Sequence, residues 1–162
     1  MKTYIILEGE HYSTHSVKVY TGKTALPFTV NFDESCRYDL GSIDQLDVNK
    51  LAGVSFGNHE INSIRIGWAY NLNTLKMDLF AYCYENGTRI IHSIGNCNLS
   101  ENVSIKLELN FKNNSYKISL NESAIQEFPY NYPALKAGYY LFPYFGGNNP
   151  APHDMIIYLD GI

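Results

Sequence analysis

The stretch INSIRIGWAYNLNTLKMDLFAYCYENGTRIIHSI, residues 61–94, decides the fold. Its apolar residues recur with a period of two, the spacing that sends successive side chains to opposite faces of a strand. Two turn sequences interrupt it, Asn71-Leu72-Asn73-Thr74 and Glu85-Asn86-Gly87-Thr88. Pairing Tyr70 with Leu75 sets Trp68 against Met77, Ile66 against Leu79 and Ile64 against Ala81, so every facing pair is apolar, as a buried face requires. The opposite face then carries Ser63, Arg65 and Gly67 beside Asp78, Phe80, Tyr82 and Tyr84. Asn86-Gly87 suits a two-residue type I′ hairpin, whose central positions both need positive φ. That turn pairs Tyr84 with Arg89 and Tyr82 with Ile91, and places His92 toward the core opposite Ala81.

A second hairpin lies downstream. Val103, Ile105, Leu107 and Leu109 alternate with polar residues, a turn follows at Lys112-Asn113-Asn114, and Tyr116, Ile118 and Leu120 alternate again. The expected pairs are Leu109 with Tyr116, Leu107 with Ile118 and Ile105 with Leu120. Further strands are expected at Thr3–Leu7, Val17–Tyr20, Phe28–Phe32, Ala124–Phe128, Gly138–Tyr144 and Met155–Leu159. The segment Asp33–Gly57 reads as a long crossover loop with a helical turn near Ser42–Leu46. About eleven short strands without a helical period predict one all-β domain over residues 1–162, an antiparallel two-sheet sandwich of the jelly-roll, concanavalin A-like kind.

Composition narrows the function classes. The chain has 162 residues and a formal net charge of −4, which supplies no basic field for a phosphate backbone, so nucleic acid is not an expected partner. No apolar run is long enough to span a membrane. The apolar run at Tyr4–Leu7 is too short for a signal-peptide core and is followed by Glu8 and Glu10. A soluble protein, cytoplasmic in the producing cell, is expected. Cys36, Cys83 and Cys97 show no metal or disulfide spacing and are expected as reduced thiols. Tyrosine, at 14 residues, is in excess, and asparagine gathers in turns.

Three stretches carry a resemblance: residues 32–57 (FDESCRYDLGSIDQLDVNKLAGVSFG), 58–70 (NHEINSIRIGWAY) with 79–87 (LFAYCYENG), and 141–159 (LFPYFGGNNPAPHDMIIYL). Together they resemble a family of uncharacterised proteins of Bacteroidetes-type bacteria and phages that ends in a PYFGG…APHD segment. The resemblance implies a concanavalin A-like sandwich and a virion or surface setting. LKAGYYLF (135–142) is similar to the Lys-Ala-Gly-x-Tyr strand of alginate lyases of that fold. That similarity implies a catalytic acid/base role for Tyr140 beside an arginine and a histidine, for which Arg65 and His59 or His153 are the candidates. The chain carries no Gln-Ile-His, and its arginine strand reads Ser-Ile-Arg-Ile-Gly.

The face bearing Arg65, Asp78, Phe80, Tyr82 and Tyr84, with Tyr144 from the C-terminal segment, has the chemistry of a shallow glycan groove. Aromatic rings stack on the C–H faces of sugars, and an Arg–Asp pair bonds hydroxyls. The same residues also fit a cross-strand ion pair among ordinary sheet aromatics. His153 and Asp154 are neighbours on an extended chain and point apart, so a structural role suits them better than an acid/base pair. Asp44, Asp47 and Asn49 place oxygen donors in one loop, where a weak calcium site is chemically feasible, but they lack the spacing of a calcium loop. No cofactor is otherwise implied. The reading is a non-enzymatic sandwich that binds glycan or a virion or surface protein, able to self-associate through its aromatic patches; a polysaccharide lyase is the alternative.

Overall fold

The computed structural model describes residues 1–14 and 17–162. Twelve strands run through them: β1 Lys2–Ile6, β2 Val19–Tyr20, β3 Ala25–Phe32, β4 Asn49–Ser55, β5 Ser63–Asn71, β6 Lys76–Glu85, β7 Thr88–Cys97, β8 Asn102–Asn110, β9 Ser115–Leu120, β10 Ser123–Pro129, β11 Gly138–Leu141 and β12 Met155–Asp160. They form two six-stranded antiparallel sheets, ordered β1-β12-β3-β8-β9-β10 and β2-β11-β4-β5-β6-β7. The two-sheet sandwich expected from the alternation is the fold. No helix among the described residues is long and apolar enough to cross a membrane.

The inner faces meet in a core in which Ile64, Ile66, Trp68, Met77 and Leu79 of the second sheet face Val30, Phe32, Ile105, Leu107 and Ile157 of the first. Phe32 and Trp68 bridge the layers with ring centroids 5.4 Å apart. The three cysteines are free and buried. Alternation together with the turn at Lys112-Asn113-Asn114 set the β8–β9 register in advance: Leu109 faces Tyr116, Leu107 faces Ile118 and Ile105 faces Leu120. The β6–β7 turn also folds as expected, with Asn86 and Gly87 at φ 49° and 81° and Tyr84 opposite Arg89.

Three expectations need correction. In the β5–β6 hairpin Trp68 faces Leu79, Ile66 faces Ala81 and Tyr70 faces Met77, a slip of two residues from the expected pairs. The turn chemistry explains it: Asn71 Oδ1 accepts the N–H groups of Asn73 and Thr74, and its carbonyl accepts the N–H of Leu75, which takes a left-handed φ of 56°. The loop is therefore 72–75, and Asn71 pairs with Lys76. A two-residue slip leaves every side chain on its face, so the apolar pattern cannot detect it.

The crossover loop Asp33–Gly57 is the second correction. Its helical turn exists, as a 3₁₀ helix over Ile43–Leu46, but its last third is β4, a central strand of the second sheet. The sequence NKLAGVS shows no alternation because nearly every residue of β4 is buried. Third, His92 is exposed: β7 is an edge strand, and the ring stacks on Phe128 at 4.8 Å instead of entering the core.

Candidate functional site

The outer face of the second sheet forms a cleft of about 340 Å³ over β11, β4, β5 and β6. Its centre is Arg65. Antiparallel pairing sets Gly53, Arg65 and Tyr82 in one row across β4, β5 and β6, with Ser55, Ser63 and Tyr84 in the row beside it. A side chain at Gly53 would collide with the backbone of Ile64 and Arg65, so glycine there admits the close approach of β5. At Gly67 a Cβ would strike Val48, which lies over that position.

Arg65 is only 6% exposed. Its guanidinium lies 5.2 Å from the Tyr82 ring centre and 6.0 Å from that of Tyr84, within cation–π range. Nη2 donates to the His59 carbonyl and to Ser63 Oγ, each at 3.3 Å, while buried Nε has no hydrogen-bond partner. The ion pairs among the described residues are Arg37–Glu34 and Lys106–Glu108, so Arg65 has no carboxylate partner there. Burial pulls its pKa below the usual guanidinium value, with the surrounding tyrosines opposing. A guanidinium nevertheless stays charged. The site thus holds a desolvated cation with an idle donor.

Lys50 is the residue that sequence reasoning missed. Its Nζ sits 5.3 Å from the Tyr82 ring centre and 5.1 Å from that of Tyr144, and donates to the Gly146 carbonyl at 2.6 Å. The PYFGG segment builds this perch. Tyr144 exchanges both backbone hydrogen bonds with Lys50 at 2.9 Å, Phe145 enters the core, and Gly146 N–H donates to Asn49 Oδ1 at 2.5 Å. Desolvation first, then the Arg65 charge, lower the Lys50 pKa to about 8. The missing signal was β4: inside a loop, Lys50 had no face.

His59, on the β4–β5 turn, reaches the cleft from above, and its Nδ1 lies 3.2 Å from the Tyr139 hydroxyl. Desolvation, then Arg65, lower the His59 pKa and so favour the neutral ring. The tyrosine in this position is Tyr139, not Tyr140. Tyr140 also borders the cleft, but it faces Val54 across β11–β4 and its ring packs edge-on against buried Tyr20 as part of the core. Strand alternation decides between the neighbours, and the register puts Tyr139 in the row of Ser55 and Ser63.

The other expected residues divide. Tyr82, Tyr84 and Tyr144 line the cleft with Arg65 and His59. Tyr82 is buried, and burial followed by the Tyr84 hydroxyl pushes its pKa up to about 12. Asp78 and Phe80 share the outer face but lie outside the cleft lining. The register slip is the reason: Arg65 faces Tyr82 rather than Phe80, so Asp78 lies four residues along β6 from Arg65's partner instead of two, and there it accepts from Asn71 Nδ2 at 2.8 Å. The cross-strand Arg65–Asp78 pair does not form.

His153 is far from the cleft chemistry, its Nε2 bonded to the Ser35 carbonyl at 2.8 Å, and Asp154 accepts the Glu8 N–H at 2.8 Å. Asp44 accepts from Asn149 Nδ2 at 2.7 Å, Asp47 lies against Gly147, and Asn49 bonds Tyr38 and Gly146. These donors are spent on the loops around Lys50. No group of three or more His, Cys, Asp or Glu gathers among the described residues.

A scan against protein-family models and a search of curated proteins find no match. Solved structures do match. The alginate lyase Aly36B is similar over 98% of this chain and 77% of its own, at 15% identity and a TM-score of 0.60. The alginate lyase AlyC3 is similar over 85% of this chain, at 12% identity and a TM-score of 0.59, and AlyC3 bound to dimannuronate matches at 0.57. The chain spans 62% of AlyC3, less than two thirds of its length. These likenesses establish the shared sandwich fold.

Proposed function

We propose that the cleft binds an acidic oligosaccharide, taking a uronate carboxylate on Arg65 with sugar rings against Tyr82, Tyr84 and Tyr144. One observation carries this reading: Arg65 is buried, has no carboxylate partner among the described residues and keeps an idle Nε. A desolvated cation without a counterion is costly to hold, and a carboxylate ligand offsets that cost with charge-assisted, bidentate bonds. The known solved neighbours named as alginate lyases agree with a uronate ligand.

A second reading, elimination, is favoured by Lys50. An amine with a pKa near 8 beside the carboxylate-binding group is a suitable base for the proton on the carbon next to that carboxylate. The Lys50 amine takes the C5 proton, the electron pair forms the C4–C5 double bond, and the C4–O bond to the next sugar breaks. The ammonium just formed returns the proton to the leaving oxygen, so atoms and charge balance. Arg65 stabilises the negative charge that develops on the carboxylate. Tyr139 and His59 close the cleft from the β11 side. The virion or surface setting implied by the PYFGG…APHD segment stays within the proposal, since a particle-bound module needs only the recognition half.

The test is to mix the protein with alginate and follow the ultraviolet absorbance of unsaturated uronate, with calorimetric titration of alginate oligomers in parallel. Binding with product formation supports both readings. Binding without product leaves recognition alone. No binding by the wild type, with neutral glycans bound instead, overturns the uronate reading.

A further inference from the structure

Arg89 stands one strand beyond Tyr84, outside the cleft lining, and carries a second inference, which rests on the uronate reading above. It lies on β7, the edge strand, opposite Tyr84 and therefore on the same face as Tyr82, Tyr84 and Arg65. The side chain is exposed, and its positive charge acts on the Tyr82 hydroxyl and on Lys50. Neither ion pair among the described residues includes it. Two strand spacings separate β7 from β5, roughly 10 Å across the sheet. The next row holds Ile91, an exposed apolar residue opposite Tyr82.

We propose that Arg89 forms a second carboxylate subsite, so that the cleft reads a polyuronate at more than one ring. In a linear polyuronate every ring carries a carboxylate. A chain laid across the strands with one carboxylate on Arg65 sends a later one over β6 toward the β7 edge. Tyr82 and Tyr84 lie between the two guanidinium groups: Arg65 sits over both rings, and Arg89 stands opposite Tyr84 on the next strand. The intervening face is aromatic, which suits the C–H face of the ring between the carboxylates. At the opposite lip Lys18 lies over the Tyr140 ring at 5.0 Å, so a second cation stands at the other end of the cleft.

The experiment is calorimetric titration with dimannuronate and tetramannuronate at about pH 6, where a lysine of lowered pKa is protonated and cleavage is suppressed. Wild type, Arg89→Gln and Arg89→Lys are compared. The expected result is that Arg89→Gln weakens the tetramer about tenfold, leaves the dimer unchanged, and is partly rescued by lysine. A purely structural role through Tyr82 would weaken both lengths equally. That result, or an unaltered tetramer affinity, overturns the second subsite while the uronate reading stands. A wild type that binds neither length overturns that reading and this inference with it.

Discussion

β5 and β8 are both nine-residue strands inside a sheet, and they differ on the side away from the core. In β8 burial alternates: Val103, Ile105, Leu107 and Leu109 are inside, and Ser104 and Lys106 face water. In β5 every residue from Ser63 to Tyr70 is buried. The second burial of β5 is not packing for stability, because what it covers is polar: Ser55, Ser63 and a guanidinium. The outer face around β8 solves the charge problem differently, with Lys106 and Glu108 exposed and paired at 2.8 Å. One face keeps its charges in water, where they cost little. The other holds a cation out of water, which is worthwhile only if an anion arrives.

The sharpest way to break this contrast is Lys50→Met. If the cleft is catalytic, alginate turnover falls about 10²–10⁴-fold, the contribution of a general base. Thermal stability holds or rises, since a half-buried cation is removed. The pH profile adds a signed test. With a pKa of about 8, the neutral amine is present above that pH and is lost as pH falls through it, so the rate rises through about pH 8 in the wild type. A pH-independent rate, or full activity in Lys50→Met, removes lysine as the base. On the core side of the neighbouring strand β5, Trp68→Ala leaves a large void between the sheets and costs about 3–5 kcal/mol by denaturant unfolding. A loss below about 1 kcal/mol would mean the sheets do not pack through Trp68.

The same contrast explains what was legible in the sequence. β8 and β9 were readable to the residue because apolar and polar residue types alternate along both, so alternation and turn together allow one register. β4 was invisible: with Leu51 to Ser55 all buried it reads as LAGVS, an apolar run with no period, inside a segment rich in acidic loop residues. Losing β4 hid Lys50, and no spacing rule could have recovered it. Arg65, Tyr82 and Tyr84 were legible as one face because a face survives a two-residue slip. Asp78 was misplaced for the same reason, since how far along β6 it stands from Arg65 does not survive it. The choice between Tyr139 and Tyr140 turned on the register of a four-residue strand, which a motif match cannot supply.

Arg65→Met comes next in size. It removes the carboxylate clamp and weakens uronate oligomer binding about a hundredfold, as truncation of a buried charged partner does. The melting temperature holds or rises, because methionine fills the space between the Tyr82 and Tyr84 rings without the desolvation penalty. A melting temperature several degrees lower with binding intact would reverse the argument and make Arg65 a structural residue.

The smallest expected effect is the control on the other sheet. Lys106→Ala breaks an exposed ion pair between two residues of β8, and such pairs contribute about 0–1 kcal/mol, less in high salt. Stability should change within that range in chemical denaturation, and titration with uronate oligomers should give the wild-type affinity. A cationic residue chosen only for its charge would serve equally well on either face. If removing Lys106 weakened the ligand as much as removing Arg65, binding would be a response to diffuse surface charge, and the buried guanidinium would have no special claim on the carboxylate.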